Sequence, residues 1–397
     1  MSEPATSTSL QLATVTLNST FASAPTDAKD KTHHLKNGRF APPWPSWTSP
    51  PPARMAKFLL SYKSPETYPG IVPVQMPSFL PDRDITATSL RATWLGHACY
   101  LVEFPGGLRV LADPVFSERC SPFSFIGPKR YTPVPCQIND IPIIDAVIIS
   151  HVHYDHLDYP TIMQIYKTQP HVQFVVPLKT KSWFVNCKIN PDQVTEMDWW
   201  EEATLVLSKD RKSGVEVTKE TTDDKRDAIT ARFACLPSQH MGNRGTFDRG
   251  KALWASWSID SGGKRLYFAG DTGYRGVLDV PEGKDDYSAE FADLPTCPAF
   301  KEIGEHYGPF DLGLIPIGAY SPRNIMSPMH SNTMDAVHIF KDTKCKKALA
   351  MHWGTWILTD EPVLEPPKQL KDSLRRLGLP EEGVFDVCEP GESREFA

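Results

Sequence analysis

Residues 150–156 read Ser-His-Val-His-Tyr-Asp-His, and this stretch decides how the rest of the chain is interpreted. Residues 143–149 before it are apolar except for Asp145 and rich in β-branched side chains, which predicts a buried strand. Asp158 and Pro160 after it predict the start of a helix. The histidines therefore lie on a loop at the end of a core strand. Imidazole and carboxylate groups are typical zinc ligands, with iron or manganese as alternatives, whereas a histidine-rich surface loop is the competing interpretation.

Length and composition limit the class of protein. A chain of 397 residues with 40% hydrophobic residues can bury a sizeable core. No window approaches 18 consecutive apolar residues, so we expect no transmembrane helix, and the net charge of −6 gives no indication of nucleic-acid binding. The eight cysteines form no Cys-x-x-Cys pair, which favours free thiols in a reducing, intracellular compartment. The N-terminus lacks the pattern of a signal peptide, and its Ser, Thr and Ala content supports a mitochondrial transit peptide only weakly.

The sequence divides into three segments. Residues 1–40 carry no hydrophobic periodicity and are predicted to be a disordered tail. Residues 41–89 form an arm rich in proline and tryptophan, which either packs on the main domain or touches lipid. Residues 90–397 are predicted to form one catalytic domain. Within the arm, four apolar residues have helical spacing: Met55, Phe58, Leu59 and Tyr62.

Further candidate ligands each follow an apolar strand. His240 follows the strand predicted over 230–236, Asp271 sits in a Gly-Asp-Thr-Gly turn after a second strand, and His352 follows a third. Because strand ends at one sheet edge converge, we expect these side chains to meet the 150–156 loop. His330 lies on a loop between two strands, and its reach into the cleft is left open. His97, between two strands predicted to pair antiparallel, is interpreted as a core histidine bonded to backbone, with a direct part in the site as the alternative.

This arrangement predicts a pair of zinc ions. One ion would take three histidines and the other two histidines and an aspartate, with one further carboxylate bridging both. Such a pair lowers the pKa of a shared water molecule toward neutrality, so that it acts as a hydroxide, and neutralises charge on an ester or phosphoryl oxygen. The assignments are His151, His153 and His240 for the first ion, Asp155, His156 and His352 for the second, and Asp271 as the bridge.

Several longer strings resemble one family closely. The order of the ligands resembles the metallo-β-lactamase superfamily. The strings TWLGHA, ISHVHYDHLDY, PSQH, FAGDTGY, IPIGAY, HWGT and GESR are similar to those of N-acylphosphatidylethanolamine-hydrolysing phospholipases D, over about residues 43–394. The resemblance implies an α/β fold, an αββα sandwich. It also implies a zinc phosphodiesterase that releases an N-acylethanolamine and phosphatidic acid.

The resemblance also implies roles and partners. Tyr154 and His330 match substrate contacts, and His330, Asp155 and Asp271 match catalytic positions. A peripheral membrane homodimer on the cytosolic face, with a hydrophobic entrance for the phospholipid and a lipid-facing arm, is expected. Two insertions depart from the family, near 208–229 and 275–296, and the second could overhang the entrance.

Two other functions remain open. The first is a lactonase or cyclic phosphodiesterase that uses the same ions on a soluble substrate, although the aromatic arm argues against it. The second is a redox di-iron protein or a binding protein of the same fold. Redox relatives usually carry Glu in place of the second His of the motif, whereas this chain retains His153. Since none of the seven predicted ligands is missing, hydrolysis is the favoured reaction.

Overall fold

The first of two sheets contains the N-terminal strand and the second half of the chain. The structure, a computed structural model, describes residues 12–18, 23–84, 86–208, 228–245, 247–281 and 283–397. Most of the insertion predicted near 208–229 thus lies outside the described residues. In spatial order the eight strands are β1 (Leu12–Leu17), β8 (Glu202–Ser208), β9 (Ile229–Leu236), β10 (Ser256–Ser261), β11 (Lys264–Phe268), β12 (Leu312–Pro316), β13 (Ala348–Met351) and β14 (Phe385–Asp386).

The second sheet contains seven strands. Its pairing is antiparallel from β15 to β4 and parallel from β4 to β7, and the first sheet is likewise mixed. The start of the domain is thus the antiparallel layer that its glycine turns predict. In spatial order the strands are β15 (Ser393–Phe396), β2 (Leu90–Gly96), β3 (Cys99–Glu103), β4 (Arg109–Ala112), β5 (Ala146–Ile148), β6 (Gln173–Pro177) and β7 (Val194–Met197).

Alternation along the strands separates two layers of core. On β3, Tyr100 and Val102 face the core between the sheets, whereas Cys99 and Leu101 face the helices on the outside. This is the two-residue period of a strand buried on both faces. The core between the sheets continues into the helices that cover the first sheet. The resulting order of helices, sheet, sheet and helices is the predicted αββα sandwich, which is confirmed.

Helices cover both outer faces. Helix α2 (Tyr159–Thr168) begins where the aspartate and proline signals predict, and Asp158 caps it by accepting a hydrogen bond from the Thr161 N–H (3.2 Å). No helix in the described ranges is long and apolar enough to cross a membrane. The helices are α1 (Pro52–Ser61), α2 (Tyr159–Thr168), α3 (Lys181–Asn186), α4 (Ala299–His306), α5 (Arg323–Met326), α6 (Thr333–Asp342) and α7 (Glu365–Arg376).

The prediction of a disordered tail over residues 1–40 is wrong for its described part. Strand β1 pairs antiparallel with β8 along its whole length and closes one edge of the first sheet. The Leu-Ala-Thr-Val-Thr-Leu sequence alternates apolar and polar residues, a signal that the Ser- and Thr-rich surroundings obscured. His33 and His34, which lie in this predicted tail, contact the carboxylate of Asp198.

Asp198 anchors the N-terminal segment to the domain. Its buried carboxylate accepts hydrogen bonds at 2.8 Å from His33, His34 and Lys31. Although burial opposes ionisation, these donors hold the pKa of Asp198 well below its usual range. His33 is itself 4% exposed and stacks on Trp199, with ring centroids 4.2 Å apart. A carboxylate of this kind ties a segment more than 160 residues away in sequence to the sheet.

Replacing Asp198 with asparagine is expected to lower the free energy of unfolding by about 2 kcal/mol near pH 7, since it leaves a half-exposed lysine and two histidines without their anion. A depressed pKa contributes stability that is present above the unfolded value and is lost as the pH falls toward the folded value. The difference between variant and wild type should therefore shrink below about pH 4. Urea unfolding at neutral and acidic pH measures it, and a difference that is constant with pH would contradict this account.

The arm over residues 41–89 packs on the domain at its aromatic end. The ring of Trp44 stacks on that of Trp199 at 5.5 Å, and the Ser46 hydroxyl donates to the Gln239 side chain at 2.5 Å. The helical spacing of its apolar residues is matched by α1, which Arg54 ties to the carbonyl of Leu278. Contact with lipid stays a prediction.

Candidate metal centre

The 150–156 loop leaves β5 between two neighbouring strand ends. The Ser150 N–H donates to Asp113, which follows β4, and the Ala255 N–H donates to the Ser150 carbonyl from just before β10. Gly270, with φ +58°, lets the Asp271 turn approach this loop, because a Cβ there would lie 2.6 Å from Cβ of Ser150. The ends of strands from both sheets therefore lie next to one another at this point.

Two predicted ligands of the first ion, His151 and His240, approach one oxygen of Asp271, and the third, His153, contacts both of them. His151 Nε2 lies 2.7 Å from His153 Nδ1, and His240 Nε2 lies 3.3 Å from that same atom. Both Nε2 atoms are 3.8 Å from Asp271 Oδ2. One ligand atom from each of the four residues falls within 4.8 Å of all the others. The first half-site, as we call His151, His153, His240 and Asp271, is therefore assembled in the predicted combination.

The predicted ligands of the second ion also lie around the Asp271 carboxylate. His156 Nε2 is 3.2 Å from Asp271 Oδ2 and 3.4 Å from Asp155 Oδ2. His352 Nε2 is 3.1 Å from Asp271 Oδ1 and 3.5 Å from Asp155 Oδ2. Asp155, His156 and His352 form what we call the second half-site. Since Asp271 reaches both half-sites, it has the position of a bridge.

A surrounding set of acceptors orients the imidazoles. His156 Nδ1 lies 2.6 Å from Asp113 Oδ2, and His153 Nε2 lies 3.1 Å from the Asn243 side-chain oxygen. His240 Nδ1 donates to the carbonyl of Met329 at 2.9 Å. Metal-bound histidines normally have their second nitrogen held in this way. The sequence interpretation missed Asp113 and Asn243, although Asp113 follows an apolar strand, β4, as the proposed ligands follow theirs.

Two observations test whether this set of donors fits metal ions. They are the buried nitrogen and oxygen atoms that lack a hydrogen bond, and the charge around the histidines. Within the described residues, His156 Nε2, His352 Nε2 and Asp271 Oδ1 are buried without a hydrogen bond of suitable geometry. Burial lowers the pKa of His240 well below its usual range, which keeps that imidazole neutral as metal binding requires. Around His156, burial is outweighed by three carboxylates, chiefly Asp271, which raise its pKa well above normal. This half-site requires a compensating positive charge, and nitrogen and oxygen donors suit a divalent ion.

His97 departs from its prediction. It does bond to backbone, but its ring lies in the centre: His97 Nε2 is 3.0 Å from Asp155 Oδ2, and its ring centroid is 4.1 Å from that of His352. The interpretation as a core histidine without a part in the site is therefore wrong. The turn between β2 and β3 lies against the loop after β13, a contact between distant parts of the chain that local spacing does not reveal.

Tyr154 lines an open cleft of about 650 Å³, and among the described residues none of the seven predicted ligands lines it. The guanidinium of Arg244 lies 3.9 Å from the Tyr154 ring centroid and donates to the carbonyls of Val152 and Leu157. The far wall of the cleft includes Phe123, which is 54% exposed. Tyr154 is joined to the centre through its chain neighbours His153 and Asp155, and its role as a substrate contact stays a prediction.

His330 reaches the centre, which answers the question that its sequence position left open. Its Nδ1 atom is 3.9 Å from Asp271 Oδ2, and its ring centroid is 5.2 Å from that of His240. Burial lowers the pKa of His330 to about 4, so the imidazole is neutral near pH 7. A neutral imidazole at this distance can offer one N–H to a bound oxygen.

The segment over residues 275–296 packs along α5, α6 and α7. Asp286 pairs with Arg323 at 2.6 Å, and the Tyr287 ring stacks on His338 at 5.2 Å. Among the described residues, none of this segment lines the cleft beside Tyr154. The Val277 N–H donates to Ser327 Oγ at 3.0 Å, so the segment supports the chain that leads to His330.

Comparisons with known proteins agree with this geometry. A family described as a beta-lactamase superfamily domain matches residues 108–284 and 287–353. Over 326 residues, the chain is 38% identical to N-acyl-phosphatidylethanolamine-hydrolyzing phospholipase D 1 of Caenorhabditis elegans, with 80% of each chain covered. It is 30% identical over 300 residues to the mitochondrial N-acyl-phosphatidylethanolamine-hydrolyzing phospholipase D of Saccharomyces cerevisiae, which covers 75% of this chain and 54% of that one.

Solved structures include a similar chain. Igni18, a metallo hydrolase from Ignicoccus hospitalis, aligns with a TM-score of 0.47 at 20% identity over 78% of this chain and 99% of its own. The resemblance inferred from the motifs is confirmed by the family match and the two phospholipases. This chain therefore belongs to the beta-lactamase superfamily and, within it, to the family of N-acylphosphatidylethanolamine-hydrolysing phospholipases D, which are phosphoric diester hydrolases.

Proposed function

We propose that this protein hydrolyses N-acylphosphatidylethanolamine to an N-acylethanolamine and phosphatidic acid, with two zinc ions in the half-sites. The observation that carries the proposal is the position of Asp271, whose carboxylate lies between two sets of imidazoles in a chain related to two such phospholipases. When bound, the ions would lower the pKa of a water molecule and neutralise charge on the phosphodiester.

Four side chains have proposed roles in the reaction. Water adds to phosphorus, the bond from phosphorus to the ethanolamine oxygen breaks, and that oxygen takes up a proton. His330 is neutral near pH 7, so we assign it to donate an N–H hydrogen bond to the departing oxygen rather than to act as a cation. Tyr154 and the cleft beside it would hold the substrate next to the half-sites. Asp155 and Asp271 would fix the reacting groups in place.

The lipid substrate is supported by apolar side chains near the cleft. Phe123, Phe125 and Ile126 are 54%, 77% and 58% exposed on one loop, and Phe123 lines the cleft. Exposed apolar residues grouped in this way are typical of a surface that meets a membrane or a partner. We propose that this loop rests on the bilayer while the cleft receives the phospholipid. The homodimer and the cytosolic membrane face stay predictions.

The direct test supplies N-acylphosphatidylethanolamine in mixed phospholipid vesicles and identifies the products by mass spectrometry. Zinc-loaded protein should release N-acylethanolamine and phosphatidic acid in equal amounts. Removal of metal with a chelator should abolish product formation, and added zinc should restore it. Metal content measured on the same preparation supplies the stoichiometry. Hydrolysis of a soluble lactone or cyclic phosphodiester without lipid cleavage would contradict the proposal.

Changing both Phe125 and Ile126 to serine is expected to reduce hydrolysis of vesicle substrate roughly tenfold or more, because two apolar side chains no longer enter the bilayer. Hydrolysis of a water-soluble short-chain phosphodiester should be unchanged, since neither residue lines the cleft. The matched control is Leu364→Ser, which removes a 49% exposed apolar side chain elsewhere. Equal losses on both substrates would contradict the membrane role of this loop.

A further inference from the structure

His97 is held by its backbone against the loop that carries His352. It lies between β2 and β3 in the left-handed conformation, with φ +53°. Its N–H donates to Thr355 Oγ1 at 2.8 Å, and its carbonyl accepts from the His352 N–H and from the Trp94 indole, both at 2.9 Å. Three bonds thus fix the residue before its side chain makes any contact.

The imidazole of His97 is directed at one ligand of the second half-site. The residue is 3% exposed, and its Nε2 atom lies 3.0 Å from Asp155 Oδ2. On its other side the ring meets Trp356 edge to face, with centroids 4.9 Å apart. Packing therefore leaves this nitrogen one polar partner, the carboxylate of Asp155.

His97 differs from the two histidines beside it in what it approaches. His156 and His352 each lie within 3.5 Å of both Asp155 and Asp271, as two ligands of one ion would. Within the described residues, His97 pairs only with Asp155 and not with Asp271. One ligand atom of His97 lies within 4.8 Å of those of Asp155, His156 and His352, but its nitrogen faces Asp155 and not the carboxylate that both half-sites share.

We propose that His97 is a positioning residue of the second half-site, whose Nε2–H orients the Asp155 carboxylate toward the ion. The proposal rests on the two-ion function argued above and adds a residue to it. An outer partner of this kind fixes the direction of a ligand, and its loss typically weakens metal affinity by about 10- to 100-fold. The main chain of His97 also holds the loop that carries His352. The side chain of His97 therefore acts on Asp155, and its main chain acts on His352.

The test separates the imidazole from the backbone. His97→Asn tolerates the left-handed conformation but is too short to reach Asp155, whereas His97→Gln places an amide N–H near the position of Nε2. Zinc binding to each folded protein is measured by calorimetry with a competing chelator. We expect two ions in the wild type, one of them bound about 10- to 100-fold more weakly in His97→Asn, and recovery of most of that loss in His97→Gln.

His306→Asn is the matched control, because it makes the same change at an exposed histidine outside the centre. It should bind two ions as the wild type does. His97→Ser offers a second truncation if His97→Asn does not fold. Unchanged affinity in the truncated variants, or an equal loss in His97→Gln and His97→Asn, would overturn the proposal. If the wild type binds two ions but does not hydrolyse the lipid, the proposed substrate is contradicted and the proposed role of His97 is not.

Discussion

Replacing Asp271 with asparagine is expected to abolish hydrolysis while the protein stays folded. The carboxylate lies within 4 Å of imidazoles in both half-sites. Asparagine keeps the shape but removes the negative charge that would hold two cations together. A loss of about 4 kcal/mol of metal-derived stabilisation corresponds to roughly a thousandfold in rate.

Three measurements on Asp271→Asn check this expectation. Product formation from vesicles gives the rate, elemental analysis gives the bound metal, and circular dichroism reports the fold. The matched control is Asp279→Asn, which makes the same change outside the centre and should retain wild-type activity and metal. Activity in metal-free Asp271→Asn protein would show that the bond is broken by other chemistry.

Replacing Trp257 with alanine is expected to cost about 3–5 kcal/mol of stability. This side chain on β10 is fully buried between the sheets, and its indole N–H donates to the Ile149 carbonyl at 3.0 Å. Ile149 immediately precedes the 150–156 loop. The substitution would therefore leave both a cavity and an unpaired carbonyl beneath the metal centre.

Trp257→Phe separates the cavity from the hydrogen bond. Phenylalanine refills most of the volume but leaves the Ile149 carbonyl unpaired, so we expect a loss of about 1–3 kcal/mol. Urea unfolding measures the stability of both variants. The zinc affinity of the folded proteins shows whether the 150–156 loop still binds metal normally. Equal stability of Trp257→Phe and wild type would mean that the bond to Ile149 contributes nothing.

Local spacing predicted the part of the centre that lies on one loop. His151, His153, Asp155 and His156 are close in sequence, so strand and loop geometry alone brings them together. Asp271 and the other distant ligands were found because each follows an apolar strand, and the ends of such strands meet at a sheet edge.

The remaining features depend on contacts that no local pattern encodes. His97 enters the centre only because the turn after β2 packs against the loop after β13. His33 is buried only because Asp198 lies beside it in the fold, 165 residues away. Strand β1 is different, since its alternation was visible in the sequence. The strand was not predicted because the segment around it has low hydrophobicity.

With the two proposed ions bound, the shared carboxylate would make the two half-sites thermodynamically dependent. An ion in either half-site would orient Asp271 for its neighbour and would also repel the neighbouring cation, so the two binding constants would not be independent. Linkage requires that whatever factor the first ion imposes on the second is imposed equally in return. Metal occupancy should then change with zinc concentration along a curve that two separate sites do not reproduce. The concentration of available zinc would thereby set how much of the protein is competent for catalysis.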